Sequence, residues 1–269
     1  MKKVFAILMS VLMVAALFAG CGEGNKPAAD NNTIKIGMTG PLTGEAAIYG
    51  TAVEAGMKIA VEEINAKGGL QFALNTQDDE HDTEKAANAY NALKDWGMQI
   101  MAGPVTTAPS NVVAAECAND EIFMLTPSAS GVSVIEYGDN IFQICFTDPN
   151  QGTASADYIF ENKLGTKIGV IYDSSDAYSS GIYEKFKAQA ETLGLEIATA
   201  QAFTNDTKAD LSTQVTSCKE AGCDLVFLPI YTTEAVQVLD SANKIGYTPK
   251  FFGCDGLDGI LGVEGFDTS

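Results

Sequence analysis

An α/β fold with two doubly wound parallel-sheet lobes is predicted from three features of this 269-residue chain. Short aliphatic or β-branched runs alternate with longer stretches of helical apolar spacing. The alternation runs twice, with a break around Ile141–Asn150. Polar loops rich in Gly, Thr and Ser follow the strand-like runs. Repeated βα alternation implies a parallel sheet covered by helices on both faces. Two runs of it imply two lobes, placed at residues 33–145 and 146–269.

The segment 1–20 precedes the fold. Lys2 and Lys3 stand before a mainly apolar run from Val4 to Leu17, and Phe18-Ala19-Gly20 lead into Cys21. A basic start, an apolar middle and small residues before a cut site form an export signal. The run is short of the about 20 apolar residues that span a bilayer. Residues 21–32 are small, polar and aperiodic, as in a flexible tether.

The first lobe is read as strands at 34–38, 72–76, 100–102, 122–125 and 141–146, with helices at 46–66, 83–96 and 108–118. Within 46–66, Val53, Met57, Ala60, Val61 and Ile64 keep helical spacing, and Lys67-Gly68-Gly69 supplies glycine stop chemistry. The second lobe is read as helix 151–161, strand 167–172, helix 180–193, strand 195–203, helix 208–220, strand 224–229, helix 233–245 and strand 250–253. Ligands of such sheets sit beyond the carboxyl ends of the strands. There the chain places Thr39-Gly40-Pro41-Leu42-Thr43-Gly44 with Tyr49, Gly103-Pro104-Val105-Thr106-Thr107, Thr126-Pro127-Ser128-Ala129-Ser130, the Tyr178 loop, Ile230-Tyr231 and Cys254-Asp255-Gly256.

These loops, with the phrase Glu62-Glu63-Ile64-Asn65-Ala66-Lys67-Gly68-Gly69 and the crossover Phe146-Thr147-Asp148-Pro149-Asn150-Gln151-Gly152, resemble the type I periplasmic binding proteins, and among them the branched-chain amino acid receptors of ABC transporters. The likeness is collinear from 33 to about 262. It implies a flytrap of two lobes closing on an amino acid by a hinge. By the same resemblance, Thr107 and Ser130 would offer hydroxyls to the α-carboxylate, helped by backbone N–H groups at Ser128. Asp255 would accept from the α-ammonium, Tyr178 and Tyr231 would close from the second lobe, and Tyr49 would line the side-chain pocket. Relatives often carry Glu where this chain has Asp255, so the shorter arm implies a bridging water or a tighter closure. The start is similar to a lipoprotein signal, which implies lipidation of Cys21 and a body tethered at the outer face of the cytoplasmic membrane or in the periplasm. An ABC permease would be the membrane partner, and the receptor would act as a monomer. Family members continue past the equivalent of Asp255 with further βα units, returning to the first lobe. The stop at Ser269 therefore carries the expectation of an incomplete second lobe, with weak binding or aggregation of this chain.

Composition excludes other classes. Without residues 1–20 the chain has 14 basic and 35 acidic residues, a net charge of −21. Nucleic acid and anionic lipid are repelled by such a field. Catalysis finds no GxSxG elbow and no phosphate-binding glycine loop, and the only histidine, His81, is remote in sequence from the cleft loops. Asp78-Asp79-Glu80-His81-Asp82 lacks the oxygen spacing of a Ca²⁺ loop and reads as a solvated helix start. No metal or cofactor is expected. Cys117, Cys145, Cys218, Cys223 and Cys254 read as buried small hydrophobes, with a Cys218–Cys223 bridge left open. Two functions remain: a solute receptor for an aliphatic amino acid, and a sensory ectodomain reporting a related small molecule to a signalling partner.

Overall fold

The computed structural model describes residues 32–263. The export segment, Cys21, the tether up to residue 31 and residues 264–269 lie outside the described residues. Nine strands form two all-parallel sheets among the described residues. The first contains β1 (Thr33–Gly40), β2 (Gln71–Asp78), β3 (Ile100–Ala102), β4 (Phe123–Thr126) and β5 (Ile141–Gln143), in the order β2-β1-β3-β4-β5. The second contains β6 (Lys167–Asp173), β7 (Glu196–Phe203), β8 (Leu225–Leu228) and β9 (Lys250–Gly253), in the order β7-β6-β8-β9. In both sheets the order reverses beside the first strand. Crevices open at such reversals.

Seven α-helices connect the strands: α1 (Ala47–Ala66), α2 (Thr83–Trp96), α3 (Thr107–Asn119), α4 (Asp148–Glu161), α5 (Ala177–Leu193), α6 (Ser212–Glu220) and α7 (Thr232–Lys244). Local chemistry sets their ends. Asp82 and Asp176 cap α2 and α5 by accepting from the amides of Lys85 and Ser179, at 2.8 and 2.9 Å. Gly97 and Gly194 close the same helices at φ 90° and 73°, the left-handed region where a glycine pays no Cβ penalty.

Both sheets bury aliphatic and aromatic side chains. Tyr90, Leu93, Met101 and Met124 fill the first lobe, and Ile168, Val170, Leu225 and Phe227 the second. Phe186 of α5 stacks on Phe227 with ring centroids 4.2 Å apart. Strand β8 is buried at all four positions, as expected of a central parallel strand covered on both sides. Helices α4 and α5 meet at backbone distance, because a Cβ on Gly152 would lie 2.4 Å from the Ile182 carbonyl oxygen.

Helix α5 begins at Ala177, three residues before the expected 180, and three further elements differ from the sequence reading. Strand 141–146 stops at Gln143, and Ile144-Cys145-Phe146 carries the chain from one sheet to the other, with Ile144 67% exposed. An apolar run without a pairing partner does not become a strand. Helix α4 begins at Asp148, three residues early, since Pro149 in a first turn sacrifices no hydrogen bond. Helix α6 begins at Ser212, not Lys208. Before it, Thr207 Oγ1 accepts from the Thr204 amide and Asp210 from the Ser212 amide, so side chains compete for the backbone groups a helix would use.

Candidate functional site

The loop after β1 is pinned by the last residue of β2. Asp78 accepts from the amide of Leu42 at 2.8 Å and from the hydroxyl of Thr43 at 2.5 Å. Helix α1 then presses on that loop, where a Cβ on Gly50 would stand 2.0 Å from the Pro41 carbonyl oxygen. The pair of constraints aims Tyr49 at the second lobe. Its hydroxyl donates to the Gly256 carbonyl at 2.6 Å and accepts from the Thr232 amide at 3.2 Å.

The loops after β3 and β4 are joined through Thr126, whose hydroxyl donates to the Pro104 carbonyl and accepts from the Ala129 amide. This places Thr107, at the start of α3, beside Ser130, and both are buried. Across the cleft, the Tyr178 hydroxyl donates to Asp255 Oδ1 at 2.7 Å and accepts from the Gly256 amide at 2.9 Å. Tyr178 stacks on Tyr231 with centroids 4.9 Å apart, and Tyr49 packs at a tilt against Tyr231 at 5.4 Å. Burial pushes the Tyr178 and Tyr231 hydroxyls well above the ordinary phenol range, so both stay protonated donors. All seven residues singled out from sequence, Tyr49, Thr107, Ser128, Ser130, Tyr178, Tyr231 and Asp255, line one small compartment with about 20 Å³ of free space.

Four further residues escaped the sequence reading. Asp148, the first residue of α4, is buried beside Ser130, and burial, with the charge of Asp255, pushes its carboxyl up to about 7. His81 and Thr106 face each other across 2.8 Å, from His81 Nδ1 to the Thr106 hydroxyl. Asp176 stands 3.9 Å from His81 Nε2. The expectation that Asp78–Asp82 is only a solvated helix start, remote from the cleft, is therefore corrected. Asp79 is fully buried, and His81 meets the Tyr231 ring edge-on at 5.3 Å. The reason is register: Gly40 pairs with Asp78, so the loop after β2 shares the rim of the loop after β1. Applying the strand-end rule to β2 would have found it. Asp82 does cap α2 as an acid at a helix start should.

Beyond Tyr231 the cleft widens into a second compartment of about 310 Å³ that includes His81, Asp176, Lys208 and Glu234. The row Thr106–His81–Asp176 is too open at 3.9 Å to relay a proton. The five cysteines within the described residues carry free thiols; the Cys218 and Cys223 sulfurs both lie against Gly169.

Buried carboxyls make stability depend on pH. Burial raises Asp148 to about 7 and Asp79 and Asp176 to about 6, whereas unfolded they titrate near about 4. Each keeps its proton in the folded protein where the unfolded chain has lost it. Their stabilisation is therefore complete below about pH 4 and disappears as pH rises through 4 to 7. His81 works in the other direction: burial and then Lys208 lower it, which disfavours the fold below about pH 6.5. Three carboxyls outweigh one imidazole. Calorimetry without ligand should give a higher melting point at pH 5 than at pH 8, and an equal or lower one would refute these assignments.

Known proteins share this architecture. A family model described as "Periplasmic binding protein" matches residues 33–261. The Leu/Ile/Val-binding protein homolog 3 of Brucella melitensis is 30% identical over 253 residues, covering 93% of this chain and 67% of that protein. A leucine-binding protein from Thermotoga maritima superposes with a TM-score of 0.78 at 26% identity, over 84% of this chain and 64% of the other. The branched-chain amino acid transporter substrate-binding protein LivJ of Streptococcus pneumoniae, solved with isoleucine, gives 0.77 at 28% identity, over 83% and 64%. The chain thus spans about two thirds of the length of the relatives it matches. With two parallel sheets facing across a polar cleft and a match from 33 to 261, the chain belongs to the periplasmic binding protein family.

Proposed function

We propose that this chain is the ligand-binding body of an exported, lipid-anchored receptor that delivers an α-amino acid to an ABC permease. One observation carries the reading: the Asp255 carboxylate and the Thr107 and Ser130 hydroxyls border the same compartment from opposite lobes. An amino acid brings an ammonium and a carboxylate, and both must be paired when the cleft buries them. Asp255 serves the first, and the hydroxyls, with the amino end of α3, serve the second. The lobes would close over the ligand by a hinge at the 144–147 crossing. Export and anchoring rest on the Lys2–Cys21 pattern, and the net charge of −21 keeps the body off anionic lipid. The relatives named for leucine, isoleucine and valine make an aliphatic amino acid the reference ligand.

A thermal-shift panel of the common amino acids at high excess tests the reading. Ligand at a hundred times its Kd adds about 2.7 kcal/mol, which moves a melting point of this chain by several degrees. A shift with at least one α-amino acid, absent with its α-amide or its deaminated acid, is the expected result. A melting point that no amino acid moves would sink the proposal.

A further inference from the structure

The larger compartment differs in chemistry from the smaller one. Carboxylates of Glu45, Asp173, Asp176 and Glu234 border it against one ammonium, Lys208, and the imidazole of His81. Glu80 and Asp82 border it as well, but they are committed to the Lys85 side chain and amide. Lys208 answers Glu45 and reaches Glu234 Oε1 at 3.5 Å, which leaves Glu234 Oε2 without a partner. Asp176 Oδ1 is unpartnered too, since His81 Nε2 at 3.9 Å is beyond hydrogen-bond distance. Asp176 and Glu234 are only 8% and 7% exposed. A buried carboxylate oxygen without a donor is costly, and a cationic ligand group would remove that cost.

The two compartments lie side by side and share a wall. Tyr231 borders both. Thr106, in the wall of the smaller, bonds to His81 of the larger. Asp176 caps the helix whose first turn carries Tyr178. The smaller compartment, at about 20 Å³, has no room for a side chain, so an amino acid held by its α-groups at Thr107, Ser130 and Asp255 would extend its side chain toward the larger compartment beside Tyr231. From this geometry we infer that the ligand is an α-amino acid whose side chain ends in a cation, an ammonium or guanidinium held by Asp176 and Glu234. An aliphatic side chain would leave both oxygens unanswered. This inference rests on the receptor reading above.

Calorimetric titration with L-arginine, L-lysine, L-norleucine and 1,5-diaminopentane tests it. L-norleucine has lysine's four side-chain carbons but lacks the terminal ammonium. L-arginine or L-lysine should bind at least tenfold more tightly than L-norleucine. Asp176→Asn, which keeps an acceptor to cap α5, and Glu234→Gln should each erase that advantage by weakening L-arginine and L-lysine. Either variant alone suffices if the other fails to fold. Norleucine binding as well as or better than lysine and arginine would overturn the inference and leave the receptor reading intact. Diamine binding as tight as lysine, with no contribution from the α-groups, would overturn the amino acid reading and keep only a cation pocket. Binding of none of the four overturns the inference.

Discussion

Asp255→Ala is expected to weaken amino acid binding by roughly a few hundred- to a few thousand-fold, because breaking a buried charge pair costs about 3–5 kcal/mol. The change removes the acceptor held by Tyr178 at the cleft wall and leaves a desolvated ligand ammonium unpaired. Asp255→Asn should fall between, since an amide oxygen still accepts but carries no charge. The loss should lie mainly in a faster release rate, as is usual for buried pairs. The fold itself should survive, because Asp255 sits in a short turn after β9 and its side chain supports only the Tyr178 hydroxyl among the described hydrogen bonds. Calorimetric titration with the best ligand reads the effect. Unchanged affinity in Asp255→Ala would move amine recognition to Asp148, the other carboxyl at this end of the cleft.

Gly152→Val should produce the largest loss of stability. Its Cβ would meet the Ile182 carbonyl oxygen at 2.4 Å, the Phe186 amide nitrogen at 2.8 Å and the Lys185 Cβ at 2.9 Å. Two of these atoms are backbone and cannot rotate away. Helices α4 and α5 must separate, pulling Phe186 off Phe227 at the centre of the second lobe. Overpacking of this kind costs about 1–3 kcal/mol where side chains can adjust, and more where backbone must move. Chemical denaturation should therefore show the midpoint falling by more than that of Gly262→Val, a glycine whose added Cβ meets no atom within 4 Å. Equal midpoints would mean that the two helices are not held at backbone distance.

The sheets were legible because parallel strands buried on both faces read as short apolar runs, and the helices between them carry periodic spacing and glycine ends. The seven candidate contacts were legible for another reason: they follow strand ends, and the resemblance gave them roles. What remained hidden depends on register and on side-chain partners. His81 looked remote because sequence does not show that Asp78 pairs with Gly40. By sequence Asp148 falls in the crossover before a helix at 151–161, yet an Asp-Pro pair can open a helix. The run Ile144–Phe146 looked like strand because hydrophobicity alone does not say which chain segment has a neighbour to pair with. The two lone carboxylate oxygens of Asp176 and Glu234 emerge only when six chain segments converge.

Tyr49 joins the lobes through the Gly256 carbonyl and the Thr232 amide while standing in the wall of the compartment that leaves room for little more than one water. A receptor resting in that arrangement hides its own site, so capture waits on spontaneous opening. Its apparent dissociation constant is then the intrinsic one divided by the open fraction. If the shut arrangement is favoured by about 1.4 kcal/mol, only about one molecule in ten can accept ligand at any instant, and uptake slows in proportion. On the receptor reading, a phenol that bonds one lobe to the other would set the pace of capture, and Tyr49 would be a position where dwell time and capture rate are tuned against each other.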